Sequence, residues 1–354
     1  MRIGMVAPIS HQYPPPGYGP WERVTHDLTE RLVEIGHDVT LFAPEGSVTR
    51  ARLVATVTEP LDTSERDARL EEEAHLATAM EAAADGQFDV VHSHLHVHAL
   101  VFSRLLPIPL VTTLHGAAWN SANHELLIRY ADMPFVSLSH QERSYLPQLN
   151  YVATIPNGIR TVDFPLGSGA GGYLVFAGRM APEKGPDLAI EIALRSGIPL
   201  RMAGMVEPRH REYFEHTMRD VPESQVEYLG DLARPELAEL LAGARATLMP
   251  LRWHEPFGLV VVESLAVGTP VVAWRMGAMP EIIDDGETGY LVEDVGSAVE
   301  AVAKVGSLSR EACRSVAERR FSHKKMADSY SRVYSNLIAM TSPPGSAPPG
   351  RQRL

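Results

Sequence analysis

The sequence holds a single cysteine, Cys313, which excludes an intrachain disulfide and all but excludes a thiolate-ligated zinc site. A reducing, cytoplasmic setting fits. Lysine is nearly as scarce, occurring only at positions 184, 304, 324 and 325, while arginine and alanine abound. That bias suggests a high-GC bacterial genome. No apolar run is long enough to span a bilayer. The opening stretch, Met1 to Pro8, is short and runs into Pro14, Pro15 and Pro16 rather than a signal-peptide core, so a soluble, unexported protein is expected. Positive charge is in deficit too: 32 basic against 44 acidic side chains give a net charge of -12. Such a field repels nucleic acid and leaves at most peripheral membrane contact through a local basic face.

What is present is ordinary globular composition, 45% hydrophobic and 21% charged, over 354 residues, a length that favours two cores over one. Ile3 to Ala7 reads as a buried strand, a proline-glycine loop follows, and Trp21 to Ile35 carries helix-spaced apolar residues ending at Gly36. Strands at Val39–Phe42, Phe88–Val91, Leu110–Leu114 and Phe135–Leu138 and an acidic helix at Ser64–Ala84 continue the alternation. The Gly167 to Gly172 run then reads as a linker. A second series follows it: strands at Tyr173–Phe176, Leu200–Ala203, Val226–Leu229, Ala246–Met249 and Pro270–Ala273, with helices at Asp187–Arg195, Pro235–Ala242 and Leu259–Ala266. The fold class is therefore α/β, two doubly wound parallel sheets facing across a cleft where ligands collect. The expected domains are 1–166 and 167–322, and residues 341–354 are expected to form a disordered tail.

Gly178, Arg179 and Lys184 follow a strand, and Gly185 and Pro186 then open a helix. Two cations at a helix N-terminus favour an anion, and a diphosphate is the natural ligand. The alternative is a pair of solvated surface charges. Glu255 and Glu263 flank Pro256, Phe257, Gly258 and Leu259. Eight residues of helical rise is about 12 Å, too far for the carboxylates to share a proton, so each is assigned to sugar hydroxyls at one end of a ligand, with the backbone of Phe257 to Val260 facing the charge between. A helix cap plus one exposed glutamate is the competing reading. No Asp-x-Asp motif is present to hold a divalent ion, and no metal or cofactor is expected.

In this order and spacing the chain resembles the retaining glycosyltransferases of family 4, which have the GT-B fold. The resemblance rests on Gly178-Arg179-x4-Lys184, on Glu255-Pro-Phe-Gly-Leu with Glu263, and on Gly277-x-x-Pro280-Glu281 followed by Asp285-Gly286-x-Thr288-Gly289. It extends to Ile155-Pro156-Asn157-Gly158, to Thr113-x-His115-Gly116, and to the opening loop with Gly17, Tyr18, Gly19 and Glu22. It implies that Arg179 and Lys184 neutralise a departing diphosphate and that Glu263 holds the ribose. Glu255 with the Phe257, Gly258, Leu259 and Val260 backbone would hold the donor sugar, backbone near Leu232 would read the base, and His115 would reach the sugar from the first domain. Gly178 and Gly19 fall on the donor side, Gly17 and Tyr18 on the acceptor side. The sequence departs from the family at Pro20, where a second glycine is usual, and so lacks one N–H there. A helix at about 323–340 crossing back to the first domain is also implied.

His92, His94, His96 and His98 alternate, which admits a metal cluster or, as the family suggests, a cleft-lining acceptor role for His94. The leading expectation is metal-independent transfer from a nucleoside-diphosphate sugar, uridine being the commonest base in the family. The acceptor hydroxyl would belong to a secondary metabolite such as an oligosaccharide antibiotic, a lipid-linked sugar or a small polyol. A non-hydrolysing nucleotide-sugar epimerase and a non-catalytic sugar-binding protein are the alternatives. The two domains are expected to close about the glycine linker, with a second hinge connection near Phe321 to His323 where the last helix crosses back.

Overall fold

The computed structural model describes residues 1–17, 19–61 and 66–341; Tyr18, Ser64 and the expected tail from 342 onward lie outside the described residues. The first sheet contains strands β1 (Arg2–Val6), β2 (Asp38–Ala43), β3 (Arg52–Ala55), β4 (Val90–Ser93), β5 (Leu110–Thr113), β6 (Phe135–Ser137) and β7 (Tyr151–Thr154). The second contains β8 (Leu174–Ala177), β9 (Leu200–Ala203), β10 (Val226–Tyr228), β11 (Ala246–Met249), β12 (Val271–Trp274) and β13 (Gly289–Val292). Their orders, 3-2-1-4-5-6-7 and 10-9-8-11-12-13, repeat one doubly wound plan, and every pairing is parallel. Side chains alternate between the two faces as strand geometry requires. Ile3 and Met5 of β1 enter one core and Val6 the other; Val175 and Ala177 of β8 enter one, Leu174 and Phe176 the other.

Helices cover both faces: α1 (Pro20–Glu34), α2 (Arg66–Ala84), α3 (His124–Arg129) and α4 (His140–Arg143) accompany the first sheet, and α5 (Pro186–Ser196), α6 (Arg211–Met218), α7 (Arg234–Gly243), α8 (Leu259–Ala266), α9 (Met279–Ile282), α10 (Val295–Lys304) and α11 (Arg310–Arg320) the second. The last helix, α12 (His323–Thr341), returns to the first domain. Its Met326, Tyr330, Val333, Tyr334 and Leu337 enter the same core as Ile3, Met5 and Leu28. The Tyr330 hydroxyl lies 2.8 Å from Thr113 Oγ1 and the Tyr334 hydroxyl 2.7 Å from His92 Nδ1.

The glycine run does not behave as a free linker. Gly167, Gly169 and Gly171 donate their N–H groups to Val267, Ala242 and Gly243, and the Arg310 guanidinium binds the Gly167 carbonyl at 2.8 Å. It is thus fastened to the second domain. The chain crosses between domains upstream, where Ile159 pairs with Ser322 and exchanges backbone hydrogen bonds with Phe321 and His323. Both crossings run side by side there, at the expected second connection near Phe321 to His323 and outside the Gly167 to Gly172 run.

Candidate functional site

In both sheets the strand order reverses between neighbours that leave in opposite directions, β1 with β4 and β8 with β11. Loops diverge at the carboxyl ends there and leave a crevice. The two crevices face each other and enclose a cleft of ≈ 480 Å³, lined from the first domain by Gly17, Gly19, Trp21, Arg23 and His115, and from the second by Gly178, Arg179, Lys184, Leu232, Glu255, Phe257, Gly258, Leu259, Val260 and Glu263. The described residues given catalytic, donor-side or acceptor-side roles therefore converge, with one exception.

That exception is His94. It is fully buried and lies behind the cleft wall, its Nδ1 2.8 Å from His115 Nε2, so it does not line the cleft as expected. The alternating histidines do not share one face of a strand because β4 ends at Ser93. His92 is held by Thr113 and Tyr334, and His96 packs on Trp21 with ring centroids 4.4 Å apart. Burial keeps these imidazoles neutral: His92 is pushed down to about 3, His96 to about 4, and His94 and His115 fall well below the usual histidine value. With His115 Nε2 occupied by His94, Nδ1 is buried and makes no hydrogen bond among the described residues.

On the opposite wall Lys184 is ion-paired with Glu255, and its ammonium lies 4.6 Å from the centre of the Trp253 ring. Arg179 reaches Glu207 and Glu183, each at 3.1 Å. The wall thus alternates cations and carboxylates. Gly277 has φ 58°, and a Cβ there would lie 2.5 Å from the Glu255 backbone; the glycine lets the following segment pack directly under the Glu255 loop. Pro20 occupies the first turn of α1 behind Gly19 as N-cap, a position whose N–H has no partner within a helix, so the proline costs α1 no hydrogen bond.

Glu263 projects from α8 and is buried. Burial raises its carboxyl, opposed by the attraction of Arg234 and Arg23. Those arginines were not legible as site residues. Arg234 opens α7 and reaches Asp27 of α1 at 3.6 Å and Asp163 at 3.3 Å, while Arg23 donates to the Pro15 and Gly17 carbonyls. Such a cluster joins segments far apart in the chain, and only the fold brings them together.

Residues 21–162 match the family described as Glycosyltransferase Family 4, and residues 165–321 match Glycosyl transferases group 1. The chain is 31% identical over 169 residues to an uncharacterized 41.2 kDa protein in the cps region of Klebsiella pneumoniae, a match covering 46% of each chain. It is 27% identical over 361 residues to a glycogen synthase of Mycobacterium tuberculosis, covering 86% of each. To a D-inositol 3-phosphate glycosyltransferase of Acidothermus cellulolyticus it is 29% identical over 362 residues, 82% of this chain and 79% of that one. Among solved structures, sucrose-phosphate synthase from Thermosynechococcus elongatus superposes with a TM-score of 0.82 at 19% identity, covering 96% and 100%. Anabaena HepE in complex with UDP-glucose does so with 0.71 at 17%, covering 95% and 100%. With the two families matched in succession on a two-sheet GT-B fold, the chain belongs to the GT-B glycosyltransferases, its first domain in Glycosyltransferase Family 4 and its second in Glycosyl transferases group 1.

Proposed function

We propose that the protein transfers a glycosyl group from a nucleoside-diphosphate sugar to an acceptor hydroxyl with retention of configuration. The observation that carries this is one cleft wall with Arg179 and Lys184 beside Glu255, Glu263 farther along, and His115 facing them from the other domain. The cations stabilise the charge that develops on the departing diphosphate, in a cleft where such preorganised charges act more strongly than in water. Glu263 accepts from the ribose hydroxyls and Glu255 from the sugar, which requires Lys184 to share itself between Glu255 and a phosphate oxygen. His115, through Nδ1, meets a sugar hydroxyl.

Glu255 is engaged by Lys184, so retention is assigned to front-face displacement rather than to a covalent intermediate. The C1–O bond to phosphate breaks as the acceptor oxygen bonds C1 on the same face, and the acceptor proton passes to the leaving phosphate. Uridine diphosphate is the proposed leaving group, supported by the Anabaena neighbour solved with UDP-glucose. Relatives named as a glycogen synthase and an inositol phosphate glycosyltransferase support an acceptor rich in hydroxyls. Arg179 and Lys184 supply the positive charge, and turnover is expected to survive EDTA.

The deciding experiment incubates the protein with labelled nucleotide sugars, with and without polyol and oligosaccharide acceptors. Label transferred to an acceptor supports the reading. An isomerised nucleotide sugar formed without acceptor replaces it with epimerisation, and binding without turnover replaces it with a non-catalytic role.

A further inference from the structure

Backbone geometry at His115 needs an explanation. The residue has φ 48°, a left-handed conformation that a side chain with a Cβ adopts when its surroundings impose it. Local bonds close the turn, Ala117 N–H to the Leu114 carbonyl at 2.8 Å and Trp119 N–H to that of Gly116 at 3.0 Å. The Gly116 N–H goes instead to Glu142 Oε1 at 2.5 Å, while Glu142 Oε2 accepts from Leu138 N–H at 2.7 Å. Glu142 is buried, and it belongs to the short helix α4. One carboxylate thus ties the His115 turn to α4.

A second carboxylate ties α4 to the other domain. Glu281 accepts from the N–H groups of His140 and Gln141, each at 2.8 Å, and the Ser139 hydroxyl donates to the Pro256 carbonyl at 2.8 Å. Two oxygens on two successive N–H groups fix both the position and the rotation of α4. Pro256 also touches the turn itself: at Gly116, with φ 92°, a Cβ would lie 2.7 Å from Pro256 Cγ. Finally, Ala278 N–H bonds the Glu255 carbonyl at 2.9 Å, so the segment carrying Glu281 and the loop carrying Glu255 form one body.

We propose that Glu281 is a positioning residue for glycosyl transfer: from the second domain it holds α4, and through Glu142 it sets the His115 turn in the first. Docking of the two domains and assembly of the His115 side of the cleft become one event. This rests on the reading of His115 as a sugar contact, and it gives the Gly277-x-x-Pro280-Glu281 motif a task separate from holding the donor.

The test uses the full chain with Glu281→Ala and the milder Glu281→Gln, which keeps one acceptor. UDP-glucose turnover, UDP affinity and amide hydrogen exchange are measured together. In Glu281→Ala, kcat falls about 10- to 100-fold, the scale of a small misplacement of a reacting geometry. KM for UDP-glucose and Kd for UDP stay within about twofold, since the proposed nucleotide contacts lie in the second domain. Exchange quickens at 139–142 and also at 115–117, with Glu281→Gln intermediate in both rate and exchange. Faster exchange confined to 139–142, or UDP affinity falling in parallel with kcat, overturns the proposal. If the wild type neither binds UDP nor uses UDP-glucose, the donor reading fails, and exchange at 115–117 still decides whether Glu281 positions the turn.

Discussion

Lys184 meets the Glu255 carboxylate and the Trp253 ring and lines the cleft beside Arg179, where the proposed diphosphate would enter. Removing it leaves Glu255 without its cation and would leave the proposed diphosphate with Arg179 alone of the two assigned cations. Lys184→Ala is therefore expected to lower turnover about 10²-fold, the scale of losing one preorganised transition-state charge, with the thermal midpoint little changed; steady-state kinetics at saturating donor checks it. Glu142 gives a pH signature. Burial, only partly offset by the Leu138 and Gly116 N–H groups, lifts its carboxyl from 4.5 to about 7. The folded state then holds a proton that the unfolded state has released, so this group's contribution to stability is full below about 4.5 and declines as pH rises toward 7. Denaturant midpoints of wild type and Glu142→Gln measured across pH 4 to 8 should converge or cross in that window; parallel curves would contradict the shift. Arg179, Lys184, Glu255 and Glu263 were legible because fixed local spacing around a strand end carries their chemistry. The pairs Lys184–Glu255 and Arg234–Asp27 were not, since partners so far apart in sequence meet only in the fold.

Among elements, the interior strands could be read and most edges could not. β3, β7 and β13 close three of the four sheet edges, and each carries half-exposed positions rather than a continuous apolar run; without two covered faces a strand has no such signature. The glycine run misled for a related reason. Composition shows freedom of the backbone, while hydrogen bonds to Ala242, Gly243 and Val267 remove it. The parallel crossings at Ile159 and Ser322 are where bending is then expected. A Cβ at Gly158 would lie 2.6 Å from the Ser322 carbonyl oxygen and 2.8 Å from His323 Cα. Gly158→Ala is accordingly expected to force the two crossings apart, lowering the unfolding midpoint and altering kcat and KM together, whereas Gly172→Ser, at a position with open space but φ 74°, should cost stability and leave kinetics intact. Kinetics and thermal melts of the two variants separate the cases.

On the scale of the whole molecule, the proposed site sits between two domains held by contacts on both flanks of the cleft: Arg234 with Asp27 and Asp163 near Glu263, and Glu281 with α4 near His115. Opening must break both. Small-angle scattering should show a smaller radius of gyration at saturating UDP than without it, and added salt should enlarge the free form by screening the arginine cluster; a profile indifferent to both would mean a cleft that never opens.

The return of α12 bears on how the chain is made. Synthesis runs from the first domain through the second before reaching Tyr330 and Tyr334, yet those side chains cover His92 and Thr113 in the first domain's core. An emerging first domain must therefore wait, with an apolar trough beside β1 and β4, until residues 323–341 have left the ribosome. Its completion is coupled to that of its neighbour, and the waiting surface is a natural client for a chaperone. A fragment of residues 1–166 should accordingly bind a hydrophobic dye and aggregate, and a separate peptide of residues 323–341 added in trans should suppress both; a fragment that is monomeric and dye-silent alone would show that the trough closes without its helix.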